Sequence, residues 1–294
     1  MSLETILARV EQSGEIPTIG AVAAEVMRLA GDPDTEFREV GQVISRDPSL
    51  TARVLQVANS PYFGIRGEVA SVERAVSLMG MQEVRNIVLT VSVISDFSST
   101  FGGQTFNWER FWEHSSGCGL IAQVFSKLLR LPTGGDEFAA GLLHDVGKIL
   151  LGHHYPDEFG RALELAAADG MTMADAEQRV FGTDHAHLGR WLAERWSFPV
   201  SIQTALGWHH RAPEAPDHRL LAAVVHLADL FTKVKQIGFG GDFVAVCLAD
   251  DPAWQVVGAG RADLDVERFT FQLDREVEAA RQLLRTAGRD DAGT

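Results

Sequence analysis

Histidine and aspartate recur in this chain at positions where a helix would ordinarily carry hydrocarbon. His144-Asp145-Val146-Gly147-Lys148 brings an imidazole, a carboxylate and an ammonium together in one short run. Asp145 falls on the stripe Phe138, Leu142, Asp145, Ile149, and His144, rotated by about 100° on a helix, reaches the same region from the edge. His114 shares a face with Phe111 and Cys118, and His185 with Leu188 and Leu192. His209 follows Ile202 and Leu206, His210 is four residues after Leu206, and Asp229 is four after Val225. Burying an unpaired polar group on such a stripe costs about 2–7 kcal/mol, and a charge costs more. A shared metal centre removes that cost. Neutral imidazole with carboxylate and no thiolate suits Fe or Mn, with Zn also compatible. The expectation is that His114, His144, Asp145, His185, His209, His210 and Asp229 converge on one or two divalent ions. Taken singly, each histidine reads as a hydrogen-bonded core residue, and among ten histidines a His-Asp pair arises readily from composition. His153 and His154 read as surface, His187 faces elsewhere, and His218 sits in a loop. His226 is the rival or outer partner of Asp229.

The elements that must position these residues read as helices almost throughout, an all-α chain. Ile19, Val22, Val26 and Leu29 repeat at helical spacing after Pro17-Thr18, with Thr18 as a cap and Asp32-Pro33 as the stop. Residues 36–45 follow, with Phe37, Val40 and Ile44 on one side. Asp47-Pro48 opens a third helix that ends at Asn59-Ser60-Pro61, since proline disfavours α geometry in the residue before it. Ser71 caps a helix closed by Gly80, and an apolar helix runs from Val84 to Phe97. Phe97 to Thr105 reads as a linker. Beyond it, helices are expected over 108–130, 137–152, 157–169, 172–180, 184–196, 199–210 and 219–235. Val266, Phe269, Leu273, Val277, Ala280 and Leu284 mark a C-terminal amphipathic helix. The domains expected are 1–97, 106–236 and 237–294.

Composition bounds the function. A net charge of −14 argues against a general nucleic-acid surface, which needs clustered Lys and Arg. A local pocket for a phosphorylated small molecule remains compatible. Cys118 and Cys247 are too few for a disulfide framework or thiolate site, and a reducing cytoplasm is the expected compartment. Met1 to Glu11 has no signal-peptide core, and the apolar stretch Ile87 to Ile94 is too short to span a bilayer. No membrane association is expected.

The order His114, His144-Asp145, Asp229 resembles the metal signature of the HD superfamily of phosphohydrolases. His185 and His209-His210 resemble the second-metal ligands of the HD-GYP branch, which hydrolyses cyclic di-GMP. In the first half, Ile16-Pro17, Ile44 to Leu50, Val57 to Gly64 and Ser71 to Gly80 resemble the HDOD family, the HD-related output domain of bacterial signalling proteins. Asp184 to Gly189 and Trp196 to Pro199 do so as well, and the resemblance covers roughly residues 12–235. It implies a helical N-terminal half packed on an HD-like bundle, and a regulatory rather than catalytic role. The chain departs from HD-GYP after His209-His210, where Arg211-Ala212-Pro213-Glu214 stands in place of a Gly-Tyr-Pro segment.

Three readings follow. In the first, the protein is a signalling module whose metal site is structural or ligand-sensing, and whose partners are other signalling proteins or a phosphorylated small ligand. In the second it is a metal-dependent phosphohydrolase: His114, His144, Asp145 and Asp229 hold one ion, and Asp145 bridges to another held by His185, His209 and His210. There Asp145 and Lys148 are catalytic, Lys148 neutralising charge on the phosphate. The third is a helical scaffold with hydrogen-bonded core histidines. The first is favoured, because the substrate motif is missing. Asn59 to Arg66, with Tyr62 and Phe63, is the expected partner surface, or else a plug in the core.

Overall fold

The computed structural model describes residues 1–32, 34–59, 65, 67–98, 106–242, 248, 250–258, 271, 273 and 274, and none of these lies in a strand. In chain order the helices are α1 (Leu3–Ser13), α2 (Ala21–Ala30), α3 (Phe37–Ile44), α4 (Pro48–Ala58), α5 (Val72–Met79), α6 (Met81–Ser98), α7 (Trp108–Leu129) and α8 (Glu137–Leu143). They continue with α9 (Gly147–His154), α10 (Pro156–Asp169), α11 (Met173–Phe181), α12 (His185–Arg195), α13 (Val200–Trp208), a 3-10 turn (His209–Glu214), α14 (Arg219–Val234) and α15 (Ala253–Gly258). They gather in two units, one of residues 18–99 with 274–294, the other of 1–17 with 100–273.

In the first unit, α2 to α6 bury Val26, Val40, Ile44, Val54, Val57, Val76 and Leu89. Caps set the starts. The Asp47 carboxylate accepts the Leu50 N–H at 3.0 Å with Pro48 at the first helical position, and Ser71 Oγ accepts the Arg74 N–H at 3.2 Å. Asn59 donates from Nδ2 to Leu55 O (2.8 Å) and Val69 O (3.0 Å), and accepts the Val69 N–H at 2.8 Å. It therefore ties the end of α4 to Val69. Two details depart from the sequence pattern. Phe37, expected inward, is 49% exposed at the first position of α3. The second helix starts at Ala21 with Gly20, not Thr18, as its cap. Ser60 to Gly64 and Arg66, and most of the expected C-terminal helix, lie outside the described residues.

The second unit is built around α7, which packs on α8 and α14. Phe111, Phe125, Leu142, Phe159, Phe181 and Phe231 are fully buried there. Glycine permits the closest approach: a Cβ on Gly141 of α8 would lie 2.8 Å from the Gly119 Cα of α7 and 2.9 Å from the Cys118 carbonyl oxygen. This backbone-to-backbone contact brings His114 on α7 level with the end of α8. The helix expected over 137–152 tightens at 144–146, where Val146 N–H bonds Leu143 O (3.0 Å) and Lys148 N–H bonds Asp145 O (2.9 Å), spacing of the 3-10 type. That tightening separates α8 from α9 and turns both His144 and Asp145 inward. Likewise the helix expected over 199–210 ends at Trp208. Arg211 leaves helical geometry (φ −136°), so His209 and His210 stand in a 3-10 turn.

Replacing Gly141 with Ala should force α7 and α8 apart. A cost of about 1–3 kcal/mol is expected for such overpacking, seen as a melting temperature lowered by roughly 2–4 °C per kcal/mol. Calorimetry of the purified variant checks it; an unchanged melting temperature would show that the α7–α8 contact is not tight.

Candidate metal centre

The seven sequence-nominated donors form two adjacent groups, each with its ligand atoms within 4.8 Å of one another: His114, His144 and Asp229, and Asp145, His185, His209 and His210; a third group among the described residues, Glu15, His153 and His154, lies apart from them and is partly exposed. All of the sequence-nominated donors thus come together, from α7, the 144–146 turn, α12, the 3-10 turn and α14. His210 is partly exposed and the other six are buried. His114 Nε2 lies 3.1 Å from Asp229 Oδ1 and 3.8 Å from Asp145 Oδ2. His144 Nε2 lies 3.3 Å from Asp145 Oδ2 and 3.7 Å from Asp229 Oδ1. His185 Nε2 is 2.9 Å and His209 Nε2 3.9 Å from Asp145 Oδ1, so Asp145 presents one oxygen to each group.

The outer hydrogen bonds fix which nitrogen faces inward. His144 Nδ1 donates to Gly141 O at 2.8 Å, and His209 Nδ1 donates to Leu206 O at 2.8 Å. Because a carbonyl can only accept, the proton of each neutral ring sits on Nδ1 and the Nε2 lone pair points at the centre. His185 is set by Glu177, whose Oε2 takes both the ring Nδ1 (2.6 Å) and the backbone N–H (2.8 Å). His114 Nε2, His144 Nε2, His209 Nε2, Asp145 Oδ1 and Asp229 Oδ1 are all buried without a hydrogen-bond partner. Buried polar atoms are rarely left so, and five in one place, each able to present a lone pair once any proton on it is released, fit a divalent cation.

Two lysines compensate the carboxylates. Lys148 Nζ donates to Asp145 Oδ2 (2.6 Å) and Gly240 O (2.7 Å), and only 1% of the residue is exposed. Lys233 Nζ contacts Asp229 Oδ2 (2.6 Å) and Asp242 Oδ2 (2.7 Å). Burial opposes the charge on Asp145, yet His144, Lys148 and His185 outweigh it and hold the carboxyl well below its usual range. Burial likewise opposes a proton on His144, but Asp145 and Cys118 raise its pKa well above the ordinary value. In His185 burial is outweighed chiefly by Glu177, giving a pKa of about 9. Burial depresses His209 strongly, aided by His144 and His185, and depresses His210, aided by His209 and His185.

Glu177, Lys233, Gly240 and Asp242 were not nominated from the sequence. Glu177 obeys the stripe rule, with Met173 four residues before it and Phe181 four after, so the same criterion on α11 would have found it. Lys233 is one helical turn from Asp229. The segment around Gly240 carries no periodic signal. Other histidines fall elsewhere. His226 does not touch Asp229: its Nδ1 donates to His209 O (2.6 Å) and its Nε2 lies 2.9 Å from Asp251 Oδ2. His187 pairs with Asp184 at 2.9 Å. His154, read as surface, is only 7% exposed, because the last turn of α9 is covered.

A family model of the HDOD domain matches residues 16–212. The chain belongs to the HDOD family. A crystal structure of an HDOD domain protein of unknown function from Geobacter sulfurreducens is 28% identical, with a TM-score of 0.80, over 96% of this chain and 99% of that one. A candidate signal transduction protein from Marinobacter aquaeolei VT8 shares the fold at 22% identity and a TM-score of 0.73, over 97% of this chain and 64% of that one. An uncharacterized protein of Treponema pallidum (strain Nichols) is 24% identical over 222 residues, 74% of this chain. The aligned part spans 42% of that relative's length. The HDOD match takes in His114, His144, Asp145, His185, His209 and His210. Asp229, Lys233 and Asp242 lie beyond it.

The metal-free HDOD protein should show a defined pH dependence. His185 and His144, with raised folded pKa values, contribute stability that is complete below 6.5 and is lost as pH rises through about 9 for His185. His209 and His210, depressed, contribute stability present above 6.5 and lost as pH falls below it. Chelator-treated protein is therefore expected to be most stable near pH 6.5 and weaker at pH 9. Metal-loaded protein should gain over that range, because ligation requires neutral imidazole. Urea midpoints at the two pH values, with and without chelator, test this. Parallel pH profiles for the two forms would contradict ligation by these histidines.

Proposed function

We propose that this HDOD protein is a regulatory signal-transduction module whose closed divalent-metal centre serves binding rather than turnover. His114, His144 and Asp229 hold one ion, and Asp145, His185, His209 and His210 hold a second, with Fe or Mn the preferred metals and Zn compatible. Bound ions there supply concentrated positive charge for ligand oxygens and for polarising water. The protein's own part is to aim each Nε2 inward through its Nδ1 bond and to keep bulk water out. The observation that carries the regulatory reading is Lys148. In the hydrolase reading Lys148 neutralises charge on the substrate phosphate, whereas here its ammonium is held by Asp145 and Gly240 as long as the segment carrying Gly240 stays in place. Arg211 to His218, in place of a Gly-Tyr-Pro segment, points the same way.

The partners proposed are other signalling proteins or a phosphorylated small ligand, and not nucleic acid, given the net charge of −14. Among the described residues no helix is long and apolar enough to cross a membrane, and a cytoplasmic location is proposed from the two scattered cysteines. A metal-dependent phosphohydrolase or phosphodiesterase acting on a nucleotide or cyclic dinucleotide is the second reading. The complete donor set, with Glu177 fixing His185, favours it.

Protein purified without a metal-affinity tag is expected to contain Fe or Mn by elemental analysis, and Asp145→Ala, which removes an oxygen from each group, should lose most of it. Loaded with Fe or Mn under reducing conditions, the protein should hydrolyse cyclic di-GMP slowly or not at all. Turnover of about 1 per second or faster, abolished by Asp145→Ala, would replace the regulatory reading with the second one.

A further inference from the structure

The segment that follows α14, Ile237 to Asp242, lies directly over the donors. A Cβ added to Gly240 would sit 2.9 Å from His114 Nε2 and 3.1 Å from Asp145 Oδ2. Only a residue without a side chain can pass there, and its backbone closes the centre from that side. The path is pinned at both ends. Ile237 N–H bonds Thr232 O at 3.0 Å, Phe239 N–H bonds Arg110 O at 2.8 Å, and Arg110 Nη2 donates to Gly238 O at 3.0 Å. At the far end Asp242 Oδ1 accepts the Met173 N–H at 2.7 Å.

Between those pins the segment offers two oxygens, and each goes to one buried ammonium. Gly240 O takes Lys148 Nζ and Asp242 Oδ2 takes Lys233 Nζ, both at 2.7 Å. A second contact of each lysine goes to a donor carboxylate, Asp145 for Lys148 and Asp229 for Lys233. The two lysines thus form a bridge whose outer side is filled by one neutral carbonyl and one carboxylate. A phosphate or pyrophosphate group presents several oxygens and more negative charge than that pair, and charge-assisted bonds to ammonium are the stronger kind. The cost of lifting the segment is small in apolar terms. Three of its six residues are glycine, Phe239 is only partly buried, and Ile237 is the one large aliphatic anchor.

We infer that residues 237–242 are a built-in competitor: their oxygens occupy Lys148 and Lys233 in place of an oxyanion, and a phosphate-bearing ligand binds by displacing them. The bridge and its cover extend past the HDOD match, because Lys233, Gly240 and Asp242 all follow Ala212. This deepens the ligand-binding part of the proposed function and rests on it. Binding is then coupled to movement of a segment tied to α7 through Arg110 and to α11 through Met173, which gives the ligand a way to alter surfaces away from the centre.

Pyrophosphate is the probe, titrated by calorimetry into the full-length metal-loaded protein free of excess metal, with metal content measured on the same sample. Asp242→Asn keeps an acceptor for the Met173 N–H and removes the charge that competes for Lys233. It is expected to bind pyrophosphate about tenfold more tightly than the parent, a difference of roughly 1.4 kcal/mol. In the parent, pyrophosphate should speed hydrogen exchange at residues 237–242, a readout that needs no variant to fold. Asp242→Asn that folds and binds no more tightly overturns the inference, as does binding to the parent with the segment's exchange unchanged. Absence of pyrophosphate binding in both proteins, with metal present, also overturns it and leaves the metal reading standing. A protein that takes up no metal yet binds pyrophosphate with the Asp242 dependence upholds the competitor while removing the metal reading.

Discussion

Everything in the second unit is organised around one cost, the removal of imidazole and carboxylate lone pairs from water. Seven donors point into a space with almost no solvent, and several of their atoms have no protein partner. In an apolar interior each such atom is expensive. The protein meets part of that cost itself. Lys148 and Lys233 neutralise one oxygen each of Asp145 and Asp229, Glu177 grips His185, and backbone carbonyls hold the Nδ1 protons of His144 and His209. What is left over is a set of imidazole nitrogens and carboxylate oxygens facing one another, the kind of donor set that a divalent cation satisfies.

The same cost explains the shape of the neighbouring elements. Glycines at 119 and 141 let α7 and α8 touch backbone to backbone, which a centre this compact demands. The tightened turn at 144–146 spends one regular α spacing to bring adjacent side chains to the same place. Arg211's departure from helical geometry does the equivalent for His209 and His210, whose rings lie 4.0 Å apart. In each case local helical regularity yields to the geometry of the donors, as expected where sequence patterns break at functional sites.

Much of this was legible in the chain. The helices at 108–130, 157–169, 172–180, 184–196 and 219–235 are found within about two residues, the usual latitude of helix ends, because their apolar period is strong and three of them start at side-chain caps, Asn107, Thr172 and Asp184. The donors were legible because a polar residue on an apolar stripe needs a reason. The breaks at 144–146 and 209–214 were not, since a change from four-residue to three-residue hydrogen bonding leaves composition untouched. Glu177 was missed although it satisfied the rule used for the histidines. Gly240 and Asp242 had no local signal of any kind, as their meaning comes from Lys148 and Lys233 across long stretches of chain. His154 was misread because burial at a helix end is decided by what covers it, not by its place in the period.

The chain order of the donors has a consequence for synthesis. The group of Asp145, His185, His209 and His210 is complete once residue 210 has left the ribosome. His114 and His144 precede it, but their own carboxylate, Asp229, arrives with α14, and Lys233 arrives only one turn later. Growing from the N-terminus at about 5–20 residues per second, the nascent chain passes through an interval in which one donor group is whole and the other still lacks Asp229. Of the two donor groups, that of His114 and His144 is the last to be finished.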